Sequence, residues 1–216
     1  MKRLFIVVEG QTEEIFVKEL IQPYFASLGF HSVTPVKIQT SKRHKGGFVN
    51  YQHLKNDLLR LLNETNVIVT TFVDFFRIPN NLPNYEICMK QVTTSKKVAC
   101  LEENMRIDIQ ISNNFIPYIQ QHEFESLIFS SSKSYTFYYS DKVVTAIENI
   151  IDQYETPEDI NDMPLTAPSK RLLAIIPDYS KVNDGNIIAL EIGLENILQQ
   201  CPRFRNWVET LIIALQ

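Results

Sequence analysis

No stretch of this chain approaches the roughly 18 consecutive apolar residues that a membrane-spanning helix needs. The opening Met1-Lys2-Arg3-Leu4-Phe5-Ile6-Val7-Val8 looks superficially like an export signal, with its charged start and apolar run. That run stops at Glu9, and no small-residue cleavage site follows. Cysteine is scarce: Cys88, Cys100 and Cys201 are three in number, widely spaced and without a C-x-x-C pair. This argues against a disulfide framework and a structural zinc site, and predicts buried or half-buried free thiols in a reducing compartment. A cytoplasmic protein is therefore expected. Positive charge is not in surplus either, with 21 Lys and Arg against 25 Asp and Glu and a net charge of −4. Any phosphate binding must then come from a local basic patch, or from metal ions bridging acids to phosphates. There is no G-x-x-x-x-G-K-[ST] loop, no internal repeat and no low-complexity tract. What remains is a chain of 216 residues, 44% hydrophobic, long enough for one domain with a small extension or for two fused lobes.

The hydrophobic pattern alternates between strand and helix. Residues 3–8 form a continuous, β-branched apolar run ended by Glu9-Gly10, the pattern of a central parallel strand buried on both faces. Thr12 is expected to cap a helix that begins with Glu13 and Glu14 and closes at Gly29. A strand is expected over 32–39, then a basic, glycine-containing loop over 41–47 and an amphipathic helix over 51–62. A buried strand over 66–73 stops at Asp74, and a helix is expected from about 85 to about 103. Residues 114–120 read as a strand placed near an edge by its internal Pro117, and 123–129 as a short helix or turn. The segment 130–140 is polar and aromatic, with no assignable element. From Lys142 the pattern is helical, with helices expected over 145–154, 168–176, 186–200 and 202–215. The expected division is an α/β core over 1–140 and a helical C-terminal subdomain over 141–216.

Two strands end in an acid, Glu9 and Asp74, and a third acidic group follows the 114–120 strand: His122-Glu123-Phe124-Glu125. In open parallel sheets ligands bind beyond the carboxyl ends of the strands. Carboxylates gathered there repel one another unless a cation lies between them, and hard oxygen donors suit Mg²⁺ or Mn²⁺. The metal candidates are Glu9, Asp74, Glu123 and Glu125, and the proton-transfer candidates are Glu9 and His122. Each has a plain structural alternative. Glu9 suits a helix start and Asp74 a turn, while His122 fits a hydrogen-bonded structural role. One of Glu123 and Glu125 is expected to face solvent or a helix cap.

Four segments carry a resemblance to a known family: Val8-Glu9-Gly10-Gln11-Thr12-Glu13, Val73-Asp74-Phe75-Phe76-Arg77-Ile78-Pro79, His122-Glu123-Phe124-Glu125-Ser126-Leu127-Ile128-Phe129 and Thr166-Ala167-Pro168-Ser169-Lys170-Arg171-Leu172. Together with Cys201-Pro202-Arg203-Phe204 and Trp207, they resemble the bacterial Toprim-like domain-of-unknown-function family 4276 over nearly the whole chain. The family is similar to the Toprim domains of topoisomerases, primases and overcoming-lysogenisation-defect nucleases. The resemblance implies a mostly parallel sheet flanked by helices. It also implies a first-strand Glu that assists proton transfer and an Asp-x-Asp pair that binds magnesium. Glu9 matches the first position and Asp74 the first Asp, while Phe76 stands where the second Asp belongs. An ATPase partner, and a role in systems acting on foreign nucleic acid, are further implications of the resemblance.

The function expected is metal-dependent phosphodiester hydrolysis on nucleic acid, DNA before RNA, by a nuclease subunit. Phosphate clamps are expected from Lys42, Arg43, His44 and Lys45, from Arg77, and from Ser169, Lys170 and Arg171 at a helix start behind Pro168. The alternative for each basic cluster is a solvated face. The competing functions are a non-catalytic Toprim-like regulatory or binding module, which the missing second Asp favours, and turnover of a small nucleotide.

Overall fold

The computed structural model describes residues 2–39, 47–110, 113–161 and 165–216. The expected basic residues Lys42, Arg43, His44 and Lys45 lie outside the described residues. The chain divides into two compact units, Met1–Gln121 with Glu209–Gln216, and His122–Val208. The division expected from composition, 1–140 and 141–216, marks where the pattern turns helical, whereas the boundary between compact units falls at Gln121–His122.

The first unit is a parallel sheet in the order β2-β1-β3-β4, with β5 also paired to β3. Its strands are β1 (Arg3–Val8), β2 (Val33–Lys37), β3 (Val67–Asp74), β4 (Phe115–Ile116) and β5 (Ile119–Gln120). All eight residues of β3 are buried, as a central strand covered on both faces must be. Alternation along β3 sends Val67, Val69 and Val73 into a core shared with Leu54, Leu58 and Leu101. Ile68, Thr70, Phe72 and Asp74 take the opposite face, where the Phe72 ring lies 5.7 Å from that of Phe16.

Pro117 splits the expected 114–120 strand into β4 and β5, because proline has no N–H to give the ladder. Side chains make up the loss. Thr71 Oγ1 donates to Tyr118 O at 2.7 Å and accepts from Tyr118 N–H at 2.8 Å. Ile119 N–H donates to Glu102 Oε1 at 2.8 Å.

The helices of this unit begin with α1 (Gln11–Phe16), a π-helical turn (Val17–Ile21) and α2 (Gln22–Ser27), in place of one regular helix to Gly29. Its N-cap is Gly10, not Thr12. The Glu13 carboxylate reaches back and accepts the Gly10 N–H at 2.9 Å, so the helix starts two residues earlier than expected. Helix α3 (Tyr51–Leu62) matches its expected span, with Asn50 as N-cap. The helix expected over 85–103 is two, α4 (Tyr85–Cys88) and α5 (Thr94–Ile109), folded back on each other. That turn overturns the expectation of free thiols for two of the three cysteines, because it brings Cys88 to Cys100 with Cα atoms 5.4 Å apart and their sulfurs bonded, whereas Cys201 is a buried free thiol.

The second unit is helical. A 3-10 helix (Phe124–Ser130) buries Phe124, Leu127, Ile128 and Phe129, and a second (Lys133–Phe137) lies in the segment that had no expected element. Then come α6 (Asp141–Ile151), α7 (Pro168–Ile175), α8 (Asn186–Ile192), α9 (Leu194–Gln200) and α10 (Pro202–Leu215), of which the residues from Glu209 onward count with the first unit. The helix expected over 186–200 breaks at Gly193, whose φ of 76° ends α8 in the left-handed region that glycine tolerates. Helix α10 takes its cap from a distant carboxylate. Glu158 accepts the N–H groups of Arg203 at 2.7 Å and Phe204 at 3.1 Å.

Candidate metal and phosphate site

In the first unit the register pairs Val8 with Phe72, so Glu9 follows β1 at the level where β3 reaches Val73 and Asp74. The consequence is a direct contact, in which the Asp74 N–H donates to Glu9 Oε2 at 3.4 Å. The Glu9 carbonyl accepts from Gly47 N–H at 2.8 Å. Glu13, only 3% exposed, caps Gly10, and a Cβ on Gly10 would lie 3.2 Å from Glu13 Oε2. Three carboxylates (Glu9, Glu13 and the buried Asp74) therefore belong to the carboxyl-terminal ends of β1 and β3 and the helix start beside them. In the sequence Glu13 stands out only as an acid at a helix start. The signal available was its four-residue spacing from Glu9 across a glycine.

Of the other expected site residues, His122, Glu123, Glu125, Ser169 and Arg171 lie in the second unit, each with a partner there. Both Glu123 oxygens accept from Ser169, one from the N–H and one from Oγ, each at 3.0 Å. Glu123 thus fills the α7 N-terminus that seemed open to an anion, and Ser169 is spent on it. Glu125 is 1% exposed, with Lys181 Nζ 3.3 Å from its Oε2. Burial is the main force pushing the neighbouring Tyr135 and Tyr179 hydroxyls far above their usual range, and the Glu125 charge adds to it. His122 is buried with a φ of 66°, and its Nδ1 lies 3.2 Å from Asn161 Nδ2. Arg171 donates to Thr166 O at 2.8 Å and to the Tyr154 hydroxyl at 2.5 Å, with its guanidinium over the Tyr154 ring. It is built into the unit, whereas Lys170 is exposed. Arg77, in the first unit, is exposed three residues beyond Asp74, has a φ of 60°, and carries its guanidinium 5.2 Å from the centroid of the Phe76 ring.

Left-handed backbone at a non-glycine residue is uncommon and concentrates at functional turns. Here Arg77 and His122 both adopt it, each shortly after a strand end. Glu9, Glu13 and Asp74 match the hard-oxygen chemistry of Mg²⁺ or Mn²⁺. Glu123 and Glu125 are already engaged by Ser169 and Lys181. Among the described residues no group of three or more His, Cys, Asp or Glu side chains is arranged to hold a metal ion. The donors fit such a cation in kind, without a ready-made cage. Among the described residues no helix is long and apolar enough to cross a membrane.

The fold has solved counterparts. The chain is similar to the C-terminal region of the Burkholderia pseudomallei OLD protein, at 15% identity and a TM-score of 0.54 over 100% of both chains. It is also similar to the C-terminal region of the Xanthomonas campestris pv. campestris OLD protein, at 13% identity and a TM-score of 0.47, over 100% of this chain and 95% of that one. No curated protein sequence matches it. The family model described as domain of unknown function DUF4276 matches residues 8–212, and the chain belongs to that family.

Proposed function

We propose that this chain is a metal-dependent phosphodiesterase of Toprim type that acts on nucleic acid. The observation that carries the proposal is the contact between the Asp74 N–H and the Glu9 carboxylate at the ends of adjacent parallel strands. That is where an open α/β sheet binds its ligand. Glu9 and Asp74 would hold Mg²⁺ or Mn²⁺, with Glu13 as the third carboxylate of the same unit. Bound there, the metal supplies Lewis-acid polarisation of a phosphoryl oxygen and a water of lowered pKa. Arg77 offers the phosphate a bidentate guanidinium, held out by its left-handed backbone and by Phe76. Lys170, which is exposed, and His122, which is buried beside Asn161, belong to the second unit and supply none of these roles. In this account Glu123 and Glu125 position their own unit, through Ser169 and Lys181, and are not ligands. DNA as the substrate, and an ATPase partner in a system acting on foreign nucleic acid, extend the proposal by resemblance.

Cleavage of plasmid DNA, single-stranded RNA and mononucleotides with Mn²⁺ or Mg²⁺ tests it. The expected result is metal-dependent cleavage of polymer, lowered on the order of 100-fold in Glu9→Gln and Asp74→Asn proteins whose circular dichroism is unchanged. Equal rates in the folded variants would remove the site from these residues. A second reading, a non-catalytic binding module, is favoured by Phe76 at the second Asp position and by the protein partners of Glu123 and Glu125. It is the conclusion if the wild type cleaves nothing with either metal, alone or with its ATPase.

A further inference from the structure

The Cys88–Cys100 bond joins two elements of very unequal strength. Helix α5 has 16 residues and buries Val98, Leu101, Met105 and Ile109. Helix α4 has four residues, too few to persist without tertiary support. Its outer face and the connection to α5 bury little, with Ile87 59% and Val92 89% exposed. Besides the disulfide, α4 is held by the buried side of Cys88, the half-buried Tyr85, and one asparagine. Asn104 on α5 accepts from Asn84 Nδ2 at 2.6 Å, and its own Nδ2 donates to Cys100 O at 2.8 Å. The same Nδ2 lies 3.5 Å from Cys88 Sγ and 3.6 Å from Cys100 Sγ, an amide donor shared by both sulfurs.

The two sulfurs also differ in access. Cys88 is fully buried, and Cys100 is half-buried. We propose that Cys88 and Cys100 form a reversible dithiol–disulfide couple that latches α4 onto α5 and is opened by a small thiol of the glutathione class. The incoming thiolate attacks the accessible Cys100 Sγ and the S–S bond breaks. Cys88 leaves as a thiolate that receives the Asn104 N–H and then takes a proton from water. A second small thiol attacks the mixed disulfide and releases Cys100, so two small thiols are oxidised to one small disulfide and the protein gains two thiols. With the bond open, α4 retains few buried contacts, and the segment Asn84–Thr93 becomes a low-stability region next to the loop that carries Arg77. The inference stands apart from the nuclease reading.

The test joins thiol counting to proteolysis of the full chain. Alkylation under denaturing conditions, read by intact mass, should add one label to aerobically purified protein, at the free Cys201, and three after reduction. Native incubation across glutathione redox buffers should move the protein between these two forms. Tryptic cleavage at Lys90 should be roughly tenfold faster in the reduced protein and in the C88S/C100S variant, and unchanged in C201S. Three labels without reductant would overturn the bond. One label at every glutathione ratio would make it a fixed staple, and equal cleavage rates would remove the latch.

Discussion

The buried carboxylates of this chain differ in what their oxygens touch, and that decides what each can do. Glu158 accepts two N–H groups at the start of α10, yet burial outweighs them and its pKa is raised above the usual 4.5. A folded pKa above the unfolded one gives a contribution that is fully present below the unfolded value and lost as pH rises through the folded value. Wild type should therefore lose stability relative to Glu158→Gln as pH rises through and above the ordinary carboxylate range. Glu158→Ala, which removes the cap, should cost about 1–2 kcal/mol in urea unfolding. Crowding at Gly185 gives a second test at this scale. A Cβ there would sit 2.8 Å from the Tyr179 hydroxyl and 3.3 Å from Phe124 Cε1, so Gly185→Ala should destabilise by about 1–3 kcal/mol in thermal melts.

Among the elements, the β4–β5 strand depends on side chains more than on a ladder. Thr71→Val keeps the shape of β3 but strips partners from both the N–H and the C=O of Tyr118, and should cost about 1–3 kcal/mol in the same unfolding assay. The strands themselves were legible because a parallel sheet covered on both faces writes itself as unbroken β-branched runs, as in 3–8 and 67–73. Helix α3 was legible from its leucine spacing. The breaks were harder to read. The turn at 89–93 contains no glycine or proline, so nothing local announced that α4 folds back to bring Cys88 to Cys100. The π-helical turn at 17–21 likewise lies within an ordinary helical pattern.

At the scale of the whole molecule, the candidate site was half legible. Glu9 and Asp74 stood out because each stops an apolar strand, and strand ends are where a doubly covered sheet exposes its backbone to ligands. Glu13 was hidden by its commonness, since acids at helix starts are usual, and only the fold shows it buried against Gly10. Glu123 and Glu125 could not be separated by sequence. Their partners Ser169 and Lys181 lie 46 and 56 residues further along the chain. Membership of the DUF4276 family and the parallel, helix-flanked sheet agree with the expected fold, and the chemistry is the part left to experiment.

The most direct experiment is Mn²⁺ titration by calorimetry on wild type, Glu9→Gln and Asp74→Asn, with folding of each checked by circular dichroism. The account predicts binding in the wild type and its loss in both folded variants. Binding that persists in both variants, or a wild type that binds no Mn²⁺ with or without nucleic acid, would contradict it and leave Glu9 and Asp74 as the helix-start and turn residues they also resemble.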